Sequence, residues 1–142
     1  MLYVLKIIKW TAIFATAVVL LLALFWKPTL QFIFHDLPFR GQSFDSSVWA
    51  SALSCVNRQD CLEKEMACVR GPMYRDLENK HLKAGVPKAT VTRLIGKPAF
   101  IAENSCFDYE LGSCSGLKID ADYLRVCFDG SDKVTNAYHW QS

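Results

Sequence analysis

The segment Gly112-Ser-Cys-Ser-Gly116 matches G-x-C-x-G, the thiol version of a nucleophile elbow, and His139 with Asp120, Asp122 or Asp129 would complete a triad on paper. An elbow requires a sharp strand-to-helix turn in a large α/β sheet, with an oxyanion hole supplied by a neighbouring loop. Here Leu117-Lys-Ile-Asp-Ala-Asp and then another strand-like run follow, so no helix caps the turn. The residues read instead as a Gly-rich link between strands whose Cys is held in a disulfide, and no catalytic residue is assigned. His35 beside Asp36, and His81 between Lys80 and Lys83, read as solvated. His139 beside Trp140 reads as a hydrogen-bonded histidine in a strand rather than a base.

The second chemistry is sulfur. Six cysteines, Cys55, Cys61, Cys68, Cys106, Cys114 and Cys127, all lie beyond residue 34, and none forms a C-x-x-C. With the three histidines far apart, neither a zinc knuckle nor a thioredoxin-like dithiol is supported, and no metal or cofactor is expected. An even number of cysteines in a small domain points to disulfides in an oxidising compartment such as a bacterial periplasm. Spacing alone leaves the connectivity open. Two preferences exist: Cys55 to Cys61 spans a polar link between helices that a short bridge would close. An antiparallel pairing of 106–111 with 122–127 would set Cys106 opposite Cys127, if the register does not slip.

These residues need a scaffold, and the composition separates one. Residues 1–34 hold 26 apolar residues, three Lys and no Asp, Glu, Gly or Cys, whereas residues 35–142 hold every acidic residue and every cysteine. From Trp10 to Trp26 only Thr11 and Thr16 are polar, which predicts a membrane-spanning helix over about 7–27, with Lys6 and Lys9 reaching to the interface. A cleaved signal peptide is the competing reading. The A-x-A at Ala15 to Ala17 falls too early for cleavage and the apolar run ends Leu24-Phe-Trp-Lys-Pro28, so the leader is read as an uncleaved anchor. Leu30, Phe32, Ile33 and Phe34 either continue the helix or lie in the interface. Past residue 34 the 13 basic residues nearly balance 14 acidic ones, which leaves no electrostatic footprint for nucleic acid. A core of this size also excludes (β/α)₈ barrels and dinucleotide-binding double-wound enzymes.

Along the remainder, Asp45, Ser46 and Ser47 offer N-caps to a short helix over 48–53. A second helix from about Asp60 places Leu62, Met66 and Val69 at helical spacing up to Gly71-Pro72. A third, Tyr74 to Lys83, turns Leu77 and Leu82 inward before Gly85, and a fourth over Lys88 to Ile95 stops at Gly96. The period then changes to two. Strands are predicted over 100–102, 107–111, 123–128 and 134–140, with a turn near Asn104-Ser105 and a hairpin at Gly130-Ser-Asp-Lys133. Leu124, Val126 and Phe128 share one face. Phe107, Tyr109, Tyr123, Tyr138 and Trp140 are expected in the core, and any pointing away would form a partner surface. The fold class is α+β, helices on one face of a small antiparallel sheet.

The run His81-Leu-Lys-Ala-Gly-Val-Pro-Lys-Ala-Thr-Val-Thr-Arg-Leu-Ile-Gly-Lys-Pro98 resembles the helix-Gly-Pro signature of the SmpA/OmlA (BamE-like) small envelope proteins, whose fold is shared with β-lactamase inhibitor protein. Tyr109-Glu-Leu-Gly112 and Tyr123-Leu-Arg-Val-Cys-Phe128 resemble strands of the same group. The resemblance implies structural roles for Gly85, Val91, Leu94, Gly96, Pro98, Gly112 and Phe128. The resemblance covers about Arg70 to Gln141; with the break in composition, the chain is divided into an anchor over 1–34, a Cys-containing helical segment over 35–72 and a BamE-like domain over 73–142. The lipid-accepting Cys of many members has no counterpart, and the segment over 45–72 is additional. Together these features predict a non-enzymatic scaffold module, anchored in the bacterial inner membrane with its domain in the periplasm, that binds another envelope protein in envelope assembly or maintenance. An inhibitor or immunity-type module blocking an envelope hydrolase is the alternative.

Overall fold

A computed structural model describes residues 2–102 and 105–142 of the chain. The turn expected at Asn104 and the Lys6 side chain lie outside the described residues. The chain divides into two compact units, one ending at Ile33 and the other running Phe34–Ser142. The first is built on α1 (Leu2–Gln31), which is long and apolar enough to cross a membrane. It extends past the expected 7–27 at both ends and contains Pro28. Pro28 has no N–H to give the Leu24 carbonyl, while Thr29 Oγ1 donates to the Phe25 carbonyl at 2.6 Å, so one carbonyl beside the break is satisfied by a side chain. A π-turn over Phe32–Asp36 follows.

The second unit is α+β. Its helices are α2 (Ser46–Ser51), α3 (Arg58–Met66), α4 (Tyr74–Lys80) and α5 (Lys88–Ile95), and its strands are β1 (Phe100–Ala102), β2 (Cys106–Gly112), β3 (Asp122–Phe128) and β4 (Val134–Gln141). The strands form one antiparallel meander in the order β1-β2-β3-β4. Local chemistry sets the ends: Asp45 accepts the N–H groups of Ser47 and Val48 to open α2, and Asn57 accepts that of Asp60 to open α3. In the β3–β4 turn, Asp129 Oδ1 accepts from the Ser131 and Lys133 N–H groups at 2.8 and 3.0 Å.

The core lies between the helices and one sheet face. Trp49 of α2, Tyr74 and Leu77 of α4, and Val91 and Ile95 of α5 pack with Tyr109, Leu111, Leu124, Val126 and Phe128. Trp49 Nε1 donates to the Ile95 carbonyl at 3.0 Å, joining α2 to the end of α5. Arg70 stands 4.6 Å from the Trp49 ring and donates to the carbonyls of Trp49 and Glu110. Residues 35–72 therefore share the core of residues 73–142 within one compact unit.

One expected helix is corrected. α3 stops at Met66, short of the expected end at Gly71-Pro72, and Leu62 and Met66, despite their helical spacing, are exposed. The helix is short and mostly polar, and its first turns are fixed by the Cys55–Cys61 bridge, the Lys64–Asp60 pair at 2.9 Å and the Val56 N–H bond to Asp60. These hold it without an apolar face. Leu94 is half-buried at the core edge, whereas Val91 and Ile95 are fully buried.

Gly96 ends α5 at φ 84° and ψ −159°, a conformation open in practice to glycine alone. A Cβ there would meet nothing within 4 Å, so the penalty for Gly96→Ala is backbone strain and not a clash. The expected loss is about 1–3 kcal/mol, read from the urea midpoint at unchanged m-value.

Candidate functional site

All six cysteines are paired: Cys55–Cys61, Cys68–Cys114 and Cys106–Cys127. The β2–β3 register sets Cys106 opposite Cys127 and runs unbroken to Glu110–Tyr123, where a bulge at Gly112 shifts it. Cys114 thus carries no thiol. The structure does bring His139 to Asp122, one of the acids considered for a triad, but the order of groups is wrong for a nucleophile. Asp122 Oδ1 accepts from His139 Nε2 at 2.6 Å and from Ser115 Oγ at 2.5 Å, so the carboxylate stands between hydroxyl and imidazole. Its other oxygen accepts the N–H groups of Cys114 and Ser115 at 2.6 and 2.7 Å.

Asp122 and Ser115 are fully buried, and the His139 ring packs 4.2 Å from that of Phe39. Burial by itself pushes the Asp122 carboxyl up; the bonds from His139, Ser115 and the two backbone N–H groups outweigh it and hold the acid below the usual carboxylate range. The ionised carboxylate only accepts, so His139 Nε2 carries the proton in that bond. The arrangement is a clamp. Together with the Cys68–Cys114 bridge it pins the base of the 113–121 loop to β3 and β4.

The sheet face turned away from the helices is a different surface. One row crosses all four strands as Phe100, Asp108, Arg125 and Tyr138, and the next holds Glu110, Tyr123 and Trp140. Arg125 makes two 2.7 Å bonds to the Asp108 carboxylate, which also accepts from Trp140 Nε1 at 3.3 Å. The Asp108 bonds raise the Arg125 guanidinium above its ordinary value despite partial desolvation, with Tyr138 adding to the rise. The Arg125 guanidinium lies 4.6 Å from the Trp140 ring, and Tyr123 stacks on that ring at 5.1 Å. Phe100 meets Tyr123 edge-on at 5.9 Å. Cation–π, stacking and a bidentate ion pair lock this ridge into one geometry. Phe100 is 58% and Tyr138 38% exposed, while Asp108 beneath them is buried.

The aromatic set expected in the core is accordingly split: Tyr109 is fully buried and Phe107 packs inward, but Tyr123, Tyr138 and Trp140 stand on the outer face. Asp108 and Arg125 were not singled out by the sequence. Their signal was the polar half of the alternation Tyr123-Leu-Arg-Val-Cys-Phe128, whose apolar half marks the core. Among the signature residues, Gly85 (φ 89°) donates its N–H to Val134 at 2.8 Å, Gly112 (φ 96°) sits at the β2 bulge, Pro98 lies between α5 and β1, and Phe128 is buried. Among the described residues no group of three or more His, Cys, Asp or Glu is placed to hold a metal ion.

No protein-family model, curated protein or solved structure matches this chain. What fold and site define is a disulfide-bonded α+β domain behind an apolar helix, with helices on one sheet face and a locked aromatic–arginine ridge on the other.

Proposed function

We propose that this chain is a non-catalytic, membrane-tethered binding module of the bacterial envelope, of SmpA/OmlA (BamE-like) type, that holds another envelope protein on its open sheet face. The ridge of Phe100, Tyr123, Arg125, Tyr138 and Trp140 carries the reading, because rigid Tyr, Trp and Arg side chains around a buried polar anchor are what concentrates binding energy at protein interfaces. Helices on one face, a stop at Gly96 and a meander after Pro98 support the family reading. Three disulfides support the periplasm, with α1 anchored in the inner membrane. The tether raises the effective concentration of the domain near a membrane partner.

The test is photocrosslinking in intact cells with p-benzoylphenylalanine at Phe100 or Tyr138, set against Lys80 on the helical side. One discrete adduct with an exported protein from the sheet positions alone is expected, and Tyr138→Ala should weaken that complex about tenfold or more, as for an interface anchor. Equal adducts from both faces, or none from the sheet, would overturn the reading. An envelope hydrolase whose turnover falls in the adduct would transfer the assignment to the inhibitor alternative.

A further inference from the structure

The loop between β2 and β3 presents two large aliphatic side chains to solvent on either side of a lysine. Leu117 is 78% and Ile119 77% exposed, with Lys118 between them at φ 58°. Isolated exposed aliphatics are ordinary. This pair differs in how firmly its loop is held and where. Its base is fixed by the Cys68–Cys114 bridge and by the four bonds of Asp122, and the Lys118 N–H closes a turn onto the Ser115 carbonyl at 3.1 Å. Between these points the Gly116 N–H donates to the Phe34 carbonyl at 2.9 Å.

Phe34 is the first residue of the second unit and is joined by one peptide bond to the leader. The chain is still apolar there, through Leu30, Phe32, Ile33 and Phe34, and Phe34 and Leu37 are themselves exposed. Leu117 follows Gly116 directly, so its Cα lies about 4 Å from that of a residue hydrogen-bonded to Phe34, where the apolar leader ends in sequence. Two exposed aliphatic side chains and a lysine beside the end of an apolar leader match what a bilayer interface takes, where apolar groups enter the acyl boundary and an ammonium meets lipid phosphates.

We propose that Leu117, Lys118 and Ile119 form a second membrane contact, dipping into the lipid interface and so fixing the orientation of the domain on the bilayer. The contact rests on the reading of α1 as a membrane anchor. A loop clamped at its base suits the role, because a flexible one would lose the orienting effect on insertion. On this proposal the β3–β4 turn, at the far end of the seven-residue β3 and so about 20 Å distant, makes no lipid contact.

The experiment uses the full chain in phosphatidylethanolamine–phosphatidylglycerol vesicles, with p-benzoylphenylalanine replacing Leu117, Ile119, Ser131 or Phe14 in turn and lipid adducts measured by mass spectrometry. Adduct yields at Leu117 and Ile119 should exceed that at Ser131 by about tenfold, the ratio that 1.4 kcal/mol of burial gives. Adducts at Phe14 but none above the Ser131 level at Leu117 and Ile119 would overturn the second contact and leave the anchor standing. Absence of adducts at Phe14 as well would overturn the anchor reading on which it rests.

Discussion

Serine at both Cys68 and Cys114 should lower the unfolding free energy by about 4 kcal/mol, because a sequence separation of 46 closes the longest of the three loops. The same chain-entropy relation gives about 3 kcal/mol for Cys106–Cys127 at a separation of 21, and about 2 kcal/mol for Cys55–Cys61 at 6. Position acts in the same direction. Cys114 belongs to the core, and the bridge packs so closely on buried Gly71 that a Cβ at residue 71 would overlap both sulfurs. It is also the one disulfide that joins the 35–72 segment to the β2–β3 loop, so its loss should expose that segment to protease before the sheet unfolds. Urea titrations of the full chain in mild detergent, one cysteine pair removed at a time, supply the ranking. A midpoint shift from Cys55/Cys61 as large as that from Cys68/Cys114 would show that loop length does not govern these bridges.

Asp122→Ala should cost about 3–5 kcal/mol, the range for removing one partner from a buried charged network. The substitution strands the Cys114 and Ser115 N–H groups, the Ser115 hydroxyl and the imidazole of His139 without their acceptor, all at the base of the 113–121 loop. The pH dependence has a definite sign. Because the folded structure holds the Asp122 carboxyl below its unfolded value, its contribution is fully present above about pH 4 and is lost as pH falls through the folded value. The stability gap between the native chain and Asp122→Asn should therefore narrow below about pH 4. A gap unchanged down to pH 2 would mean that the carboxylate is not the group that the clamp stabilises.

Much of the second unit was legible because its signals are local. The N-cap at Asp45, the helix over Lys88–Ile95 and the strand alternation that buries Leu124, Val126 and Phe128 are properties of adjacent residues, and the structure has them where the spacing placed them. The Cys106–Cys127 bridge was accessible as a preference for a similar reason: once the inward faces of two neighbouring strands are known, the side-chain period of two restricts the register. The α3 helix is shorter than the spacing of Leu62, Met66 and Val69 implied, because its stability comes from a short bridge and polar bonds near its start. An apolar stripe does not reveal whether a core is within reach.

The clamp and the ridge were legible only in fragments. Asp122, His139 and Ser115 have no diagnostic spacing, and it is the chain reversal at the Gly112 bulge, with β4 returning alongside β3, that sets them around one carboxylate. Arg125 and Asp108 look in sequence like ordinary polar residues on the wet side of a strand. Register makes them a bidentate pair under Trp140.

By itself the sequence determined an apolar leader, a near-neutral domain stapled by cysteines, and the order of helices before antiparallel strands, since composition and periodicity act over one or two turns of chain. Tertiary structure decided that Cys114 pairs with Cys68, that Asp122 is a structural clamp, and that three aromatics expected in the core face outward. Each of these depends on which distant segments share a face or an edge, and burial energy selects that across the whole fold rather than within any one stretch.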